Sequence, residues 1–167
     1  MVVTLLVFKF SNPSHSNKSL AVAGKDYAVI AADTRLSIGY NILSRNTSKV
    51  AKLTDKCYLL SSGMYADLLA LRKHLKARIT MYEFDNGKQP SIDAISYLVQ
   101  QTLYSKRFFP YYCWVVLAGL DDAGKGVVVE YDPVGTVEKV NYSAKGSANE
   151  LINPALDTIF KGKQTFI

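Results

Sequence analysis

The fold and the site of this chain are both predicted from Ala31-Ala32-Asp33-Thr34-Arg35-Leu36-Ser37, the end of an apolar run. The run has the composition of a buried strand, so Asp33, Thr34 and Arg35 are expected at the end of that strand. A second extended stretch then brings back Lys49, sixteen residues after Asp33. A carboxylate, a hydroxyl and an ammonium gathered at strand ends could tune the proton affinity of a nucleophile. A structural salt bridge at a strand end is the alternative interpretation.

Length and composition indicate one ordinary globular domain. The chain has 167 residues, of which 49% are hydrophobic and 20% are charged, and a chain of this size can bury a substantial core. Its net charge of +6 comes from scattered lysines and arginines, whereas a nucleic-acid-binding surface would show a denser basic stripe. The apolar start, Met1 to Phe8, is shorter than the roughly 20 residues of a membrane span and lacks the features of a signal peptide. We therefore expect a soluble intracellular protein that binds neither nucleic acid nor membrane.

Cysteine and histidine are too few and too far apart to predict a metal site or a histidine-based catalytic centre. Cys57 and Cys113 each lie inside an apolar, strand-like run, which predicts two buried free thiols. His15 and His74 are the only histidines, and His74 falls among cations on the surface of a predicted helix. The sequence therefore predicts no metal and no cofactor.

Hydrophobic periodicity predicts three helices. The first ends at Asp85-Asn86-Gly87 and places Arg72 on its solvent side, and its apolar face consists of Leu68, Leu71, Leu75, Ile79 and Tyr82. The second begins with Ser91 as its N-cap. The third begins with Ser147 as its cap and has to accommodate Pro154 in its first turn.

Short apolar runs between turn signals predict the strands. The segment 11–17 is polar and turn-forming and indicates a loop, and the run at 113–118 is apolar on both faces and indicates a central strand. The predicted strands lie at 19–23, 27–32, 39–44, 48–53, 56–60, 113–118, 127–131 and 137–142. Strands, two helices, further strands and a last helix indicate an α+β class in which two sheets pack on each other and carry helices outside.

Several motifs together resemble those of the proteasome beta subunits. They are Ala32-Asp33-Thr34-Arg35, Ser62-Gly63, the hairpin turn at 119–126, Tyr131-Asp132-Pro133-Val134-Gly135 and Gly146-Ser147-Ala148. The most specific is the run Tyr-Ser-Lys-Arg-Phe-Phe-Pro-Tyr-Tyr at 104–112. It is similar to the type-1 class of these subunits, a non-catalytic class at the sixth position of the beta ring. The resemblance covers roughly residues 18–160.

The resemblance implies a four-layer αββα sandwich of the N-terminal-nucleophile hydrolase type. Residues 17–167 would form the beta-type domain and residues 1–16 an N-terminal extension of uncertain structure. Because family members continue beyond Ile167, we expect the domain to lack its C-terminal elements. The implied partners are the other beta subunits of a seven-membered ring, the alpha ring and the opposite beta ring. The implied location is the cytoplasm and nucleus, with unfolded proteins as substrates of the whole complex.

The resemblance also implies which residues belong to the site. Active members use an N-terminal threonine whose own α-amino group serves as base. Asp33 and Lys49 match the assisting residues, and Ser147 matches a serine near the nucleophile. The nucleophile position, sixteen residues before Asp33, is Asn17, and no Gly-Thr junction stands there. We therefore expect no catalytic residue in this chain and a structural role in the 20S core particle.

Two other interpretations stay open. An active threonine or serine peptidase would need a nucleophile elsewhere, and the candidates are Thr4, which lies 29 residues before Asp33, and Ser19, which is two residues out of register. The other interpretation is an assembly-incompetent fragment without function.

The aromatic run at 108–112 would serve as core or as interface anchor, and we favour the interface for at least one ring.

Overall fold

The computed structural model describes residues 2–8 and 18–163, so the predicted loop at 11–17 lies outside the described residues. Mixed strand and helix content agrees with the predicted α+β class. In chain order the elements are β1 (Val2–Phe8), β2 (Lys18–Ala23), β3 (Tyr27–Asp33), β4 (Leu36–Ile38), β5 (Asn41–Ser44), β6 (Val50–Thr54), β7 (Cys57–Gly63), α1 (Tyr65–Asn86), α2 (Ile92–Tyr104), β8 (Cys113–Leu120), β9 (Gly126–Tyr131), β10 (Val137–Val140), β11 (Tyr142–Gly146) and α3 (Asn149–Lys163).

Sheet I has the strand order β1-β3-β2-β11. β2 and β3 form the predicted antiparallel hairpin, which closes where the Gly24 amide donates to the Tyr27 carbonyl at 2.8 Å. β1 runs parallel to β3, from Val2 opposite Tyr27 to Phe8 opposite Asp33. The apolar start of the chain therefore lies at one edge of this sheet. The predicted domain division between residues 16 and 17 stays a prediction.

Sheet II has the strand order β10-β9-β8-β7-β6, which confirms the prediction of a central strand at 113–118. Successive residues of a strand point to opposite faces, and β7 and β8 are apolar on both. One face packs on sheet I through a cluster of Ala21, Ile30, Leu60, Val116, Ala118 and Val128. The other face packs on α1 and α2 through a cluster that includes Leu59, Leu117, Leu71, Leu75, Ile95 and Val99. The core thus lies on both sides of sheet II.

The end of α1 and the start of α2 lie where the sequence signals place them. α1 ends at Gly87, whose φ of 64° is left-handed and suits glycine. Ser91 caps α2 by accepting a hydrogen bond from the Ala94 amide at 3.3 Å. The predicted apolar face of α1 is buried at Leu68, Leu71, Leu75 and Ile79, while Tyr82 is 37% exposed. Within the described residues, none of the helices is both long and apolar enough to cross a membrane.

α3 lies beside β11 and packs on the outer face of sheet I. The Tyr142 and Phe160 rings lie 4.6 Å apart. Ile152 lines a small apolar pocket with Leu20 and Ala31, residues on the opposite face of the sheet from those that contact sheet II. Leu151 and Ile159, two apolar residues of this helix, are exposed.

Two local predictions are wrong and one is only partly right. The predicted strand at 39–44 is present as β5 from Asn41, but residues 39 and 40 form the turn of a small hairpin with β4, which the sequence did not predict, and Gly39 in that turn has a φ of 56°. The strand at 137–142 is divided, because β10 pairs in sheet II while β11 pairs in sheet I. Pro154 is not in the first turn of α3, since the helix begins at Asn149. The capping role of Ser147 stays a prediction.

Packing between α1 and sheet II predicts a specific loss of stability. Leu75→Ala removes a fully buried side chain and should lower the free energy of unfolding by about 2–5 kcal/mol, since the cavity only partly collapses. Leu69→Ala on the same helix, where the leucine is 48% exposed, should change it by less than about 0.5 kcal/mol. Urea unfolding followed by circular dichroism measures both, and equal effects would contradict the assigned buried face.

Candidate functional site

Asp33 and Lys49 are brought into direct contact at the end of β3. The Lys49 Nζ donates to the Asp33 Oδ1 at 2.5 Å, and both side chains are buried, with 3% and 6% exposed. The same carboxylate oxygen also accepts the backbone N–H of Lys18 at 2.8 Å. The pairing expected from the sequence is therefore present in the structure.

Burial is the main influence on the ammonium of this pair. It lowers the pKa of Lys49 from its ordinary value of 10.5. The hydrogen bond that Lys49 donates to Asp33 and the negative charge of Asp33 oppose that effect, whereas the nearby positive charges of Arg35 and Lys18 add to it. Lys49 therefore loses its proton more readily than a surface lysine does.

Thr34 and Arg35 follow Asp33 but serve different contacts. The Thr34 hydroxyl donates to the Arg45 carbonyl at 2.7 Å, and the Thr34 carbonyl accepts the Thr47 amide at 2.9 Å. These bonds hold both ends of the β4–β5 hairpin at the end of β3. Arg35 is 4% exposed and contributes positive charge near Lys49. Thr34 thus has a structural role in closing the hairpin rather than a role as a hydroxyl nucleophile.

Arg72 also belongs to this neighbourhood, contrary to its predicted place on the solvent side of α1. It is half-buried, and its guanidinium donates to the Ser61 Oγ at 2.7 Å and to the Ser48 carbonyl at 2.8 Å. Burial lowers its pKa. Since Ser48 immediately precedes Lys49, Arg72 connects α1 to the segment just before β6 that carries the buried ammonium. Its spacing, four residues after Leu68, was the available signal, because residues four apart share a helix face.

Ser147 is exposed and lies one residue beyond the strand that flanks this site. The preceding residue, Gly146, pairs with Lys18 across β11 and β2. Ser147 lines a cleft of about 440 Å³ between the ends of the two sheets, together with Ser62, Trp114 and other residues. The structure therefore places Ser147 near the start of β2.

The candidate nucleophiles have distinct placements. Asn17 lies outside the described residues. Ser19 is 1% exposed inside β2, and its hydroxyl donates to the Lys145 carbonyl at 3.4 Å. Thr4 is opposite Val29 in the β1–β3 register, so its backbone is about 13 Å along the strand from the Asp33 position. The Thr4 backbone therefore lies away from the Asp33–Lys49 pair. Ser19, which is opposite Ala32 in the β2–β3 register, lies close to Asp33, but its side chain is buried.

Metal binding and thiol catalysis are poorly supported by the part of the chain that the structure describes. It contains no group of three or more His, Cys, Asp or Glu side chains that could hold a metal ion. Cys57 and Cys113 are buried free thiols, as predicted, and burial raises the pKa of Cys113 to about 12. A thiol with so high a pKa is a poor nucleophile at neutral pH.

The class of protein follows from the whole chain rather than from this site alone. The family model described as Proteasome subunit matches residues 14–165. The chain therefore belongs to the proteasome subunit family.

Individual relatives are more specific. The chain is 53% identical over 142 residues to the protein named Proteasome subunit beta type-1 of Oryza sativa subsp. japonica, covering 85% of this chain and 64% of that protein. It is 55% identical to the protein of the same name of Petunia hybrida, with the same coverage. For that of Drosophila melanogaster the identity is 46% over 144 residues, 86% of this chain and 61% of that protein. The resemblance to type-1 beta subunits is confirmed, and the chain spans less than two thirds of the length of these relatives.

The buried pair predicts a large effect of removing one charge. Asp33→Asn keeps the shape of the side chain but leaves the Lys49 ammonium buried without a counter-charge, which should lower the free energy of unfolding by about 3–5 kcal/mol. Adding Lys49→Met to Asp33→Asn removes that ammonium and should recover part of the loss. Chemical unfolding of the three proteins measures both effects.

The matched control is Asp55→Asn, because Asp55 forms an ion pair with Lys52 that is exposed on both sides. This substitution should leave the unfolding midpoint unchanged. Equal effects at Asp33 and Asp55 would contradict the assignment of a buried pair.

The lowered pKa of Lys49 also predicts a pH dependence. Because the pKa of Lys49 is lowered in the folded protein, the folded chain loses this proton at a lower pH than the unfolded chain does. The titration of Lys49 therefore makes the free energy of unfolding rise as the pH increases toward 10.5. The free energy of unfolding of the native sequence should therefore rise relative to that of Lys49→Met between pH 8 and 10. A relative fall would mean that pairing with Asp33 outweighs burial and raises the pKa of Lys49.

Proposed function

We propose that this chain is a non-catalytic structural subunit of the 20S proteasome core particle. It would contribute to ring assembly and to the closed chamber in which the complex carries out ubiquitin-dependent protein degradation. Family membership over residues 14–165 supports the assignment to the complex. The names of the type-1 relatives support the assignment to the beta ring.

One observation carries the non-catalytic part of the proposal. The Asp33–Lys49 pair is intact and buried, yet the residue sixteen positions before Asp33 is Asn17, whose side chain has no hydroxyl. An amide oxygen or nitrogen cannot replace the threonine oxygen as a nucleophile in acyl transfer. The charged pair would then serve to hold the end of β3 against the chain that enters β6.

The proposed architecture is the four-layer αββα sandwich of N-terminal-nucleophile hydrolases. It is supported by α1 and α2 on one face of sheet II, sheet I on the other, and α3 on the far face of sheet I. In the complex the partners would be neighbouring subunits of a seven-membered beta ring, an alpha ring and the opposite beta ring. A closed ring needs two different contact surfaces on each subunit. The proposed location is the cytoplasm and nucleus.

An active peptidase is the second candidate, and it would require Thr4 or Ser19 to act. The burial of Ser19 and the register of Thr4 both speak against it. We therefore expect that Asn17→Ala, Thr4→Ala and Ser19→Ala, each placed in full particles, leave every peptidase activity of the complex within about twofold of the unaltered level.

The measurement uses particles purified through a tag on this chain and assayed with fluorogenic peptides. A covalent threonine-directed inhibitor is the positive control, since it shows that the assay detects loss of an active site. Loss of one peptidase activity in a variant whose particles are intact would refute the non-catalytic role. Failure of the unaltered chain to migrate with other subunits on a sizing column would refute the structural role.

A further inference from the structure

A run of aromatic residues stands exposed on the surface directly after α2. We call residues 104–112 the aromatic turn. Phe108 and Phe109 are 93% and 87% exposed, and Tyr104 and Tyr112 are 53% and 64% exposed. Single exposed rings are common on protein surfaces, but a continuous group of this size marks a contact surface.

Backbone hydrogen bonds hold the aromatic turn in one shape. The Lys106 amide donates to the Leu103 carbonyl at 3.1 Å, and the Arg107 amide donates to the Tyr104 carbonyl at 3.0 Å. The Phe109 amide then donates to the Lys106 carbonyl, also at 3.0 Å. Successive turns of this kind fix the backbone before any partner binds, which reduces the ordering cost of association.

The far end of the aromatic turn is anchored as well. The Tyr112 amide donates to the Asp67 carboxylate at 2.8 Å, and the Tyr112 carbonyl accepts the Met64 amide at 2.8 Å. On the α2 side, the β9–β10 turn packs closely, because a Cβ on Gly135, whose φ is 90°, would lie 2.9 Å from the Gln100 carbonyl oxygen. The exposed rings are therefore carried on a rigid base.

The charged side chains of the aromatic turn itself are positive, while the Asp67 carboxylate lies at its far end. Lys106 and Arg107 lie within the turn, and the sequence contains no Asp or Glu from residue 94 to residue 120. The Arg107 guanidinium lies 5.8 Å from the centre of the Tyr104 ring and 5.4 Å from that of Phe108. This stacking orients the guanidinium while its edge can still donate to an acidic group.

We propose that the aromatic turn is an assembly surface that inserts Phe108 and Phe109 into an apolar depression edged by carboxylates on a neighbouring proteasome subunit. The inference rests on the proposed function, and it deepens that function by naming the contacting surface and the chemistry of its partner. Aromatic residues and arginine are the side chains that most often anchor protein interfaces. A second copy of this chain fits less well, because a symmetric contact would bring two copies of the same turn, with its positive Lys106 and Arg107, against each other.

The first experiment measures entry into the particle. Full-length chain carrying Phe108→Ala and Phe109→Ala is produced together with the other subunits, and the share in the high-mass particle is determined by quantitative mass spectrometry. We expect a drop of about tenfold or more relative to the unaltered chain. Phe84→Ala is the matched control, since Phe84 is 89% exposed on α1, and it should stay within about twofold.

The second experiment identifies the partner surface. A photo-crosslinking phenylalanine at position 109 should give one main crosslinked peptide, from another subunit, that contains apolar residues next to Asp or Glu. Arg107→Glu should reduce entry into the particle, and changing the crosslinked acidic residue to Arg should restore it. Lys73→Glu, at an exposed lysine of α1, is the control for a charge reversal that should have no effect.

The possible results separate the two levels of the proposal. If the unaltered chain and the double alanine variant enter the particle equally, this surface is wrong while the structural role stands. A crosslink within this chain or to a second copy of it would also overturn the proposed surface. If the unaltered particle binds lipid vesicles and the double alanine variant does not, the partner of these rings is a membrane, and that result would also overturn the proposed surface. If the unaltered chain enters no particle, both proposals fail.

Discussion

The buried contact between Asp33 and Lys49 is the constraint on which the site depends. It joins the end of a sheet I strand to the chain that enters sheet II, 2.5 Å apart and nearly inaccessible to solvent. Removing two charges from water is unfavourable, and only close pairing and further hydrogen bonds offset that cost. Here the Lys18 amide supplies a further bond to Asp33, while the Thr34 and Arg72 contacts fix the backbone on either side. These contacts fix the position of sheet I relative to sheet II at the end of β3.

Under the proposed non-catalytic role, the same arrangement would allow the site to keep its charged pair without a nucleophile. The pair needs no nucleophile in order to be stable, because each charged group already has partners in the fold. A substitution at the nucleophile position leaves those partners in place. The site can therefore persist as a structural element in a member of the family whose Asn17 offers no reactive hydroxyl.

Sequence reasoning predicted the parts of the fold that depend on local pattern. The β2–β3 hairpin, the central strand β8, the caps of α1 and α2 and the Asp33–Lys49 pair follow from alternation, turn residues and spacing. The wrong predictions concern features that depend on how the strands and helices pack in three dimensions. The chain passes from sheet II to sheet I at Asn141 within one strand-like run. Arg72 was placed in solvent because of its charge, although its spacing puts it on the buried face and serine and carbonyl oxygens receive its guanidinium there. For the aromatic run at 108–112 the sequence left core and interface open and favoured the interface. The exposure of Phe108 and Phe109 agrees with that preference, and it depends on the hydrogen-bonded turn beneath them.

The non-catalytic role is tested most directly by the intact mass of this chain, taken from purified, peptidase-active particles after treatment with a threonine-directed electrophile. We expect the chain to be present in the particle, to carry no adduct and not to begin at Thr4 or Ser19, while other subunits of the same particle are labelled. A chain that begins at Thr4 or Ser19 and carries the electrophile would contradict it.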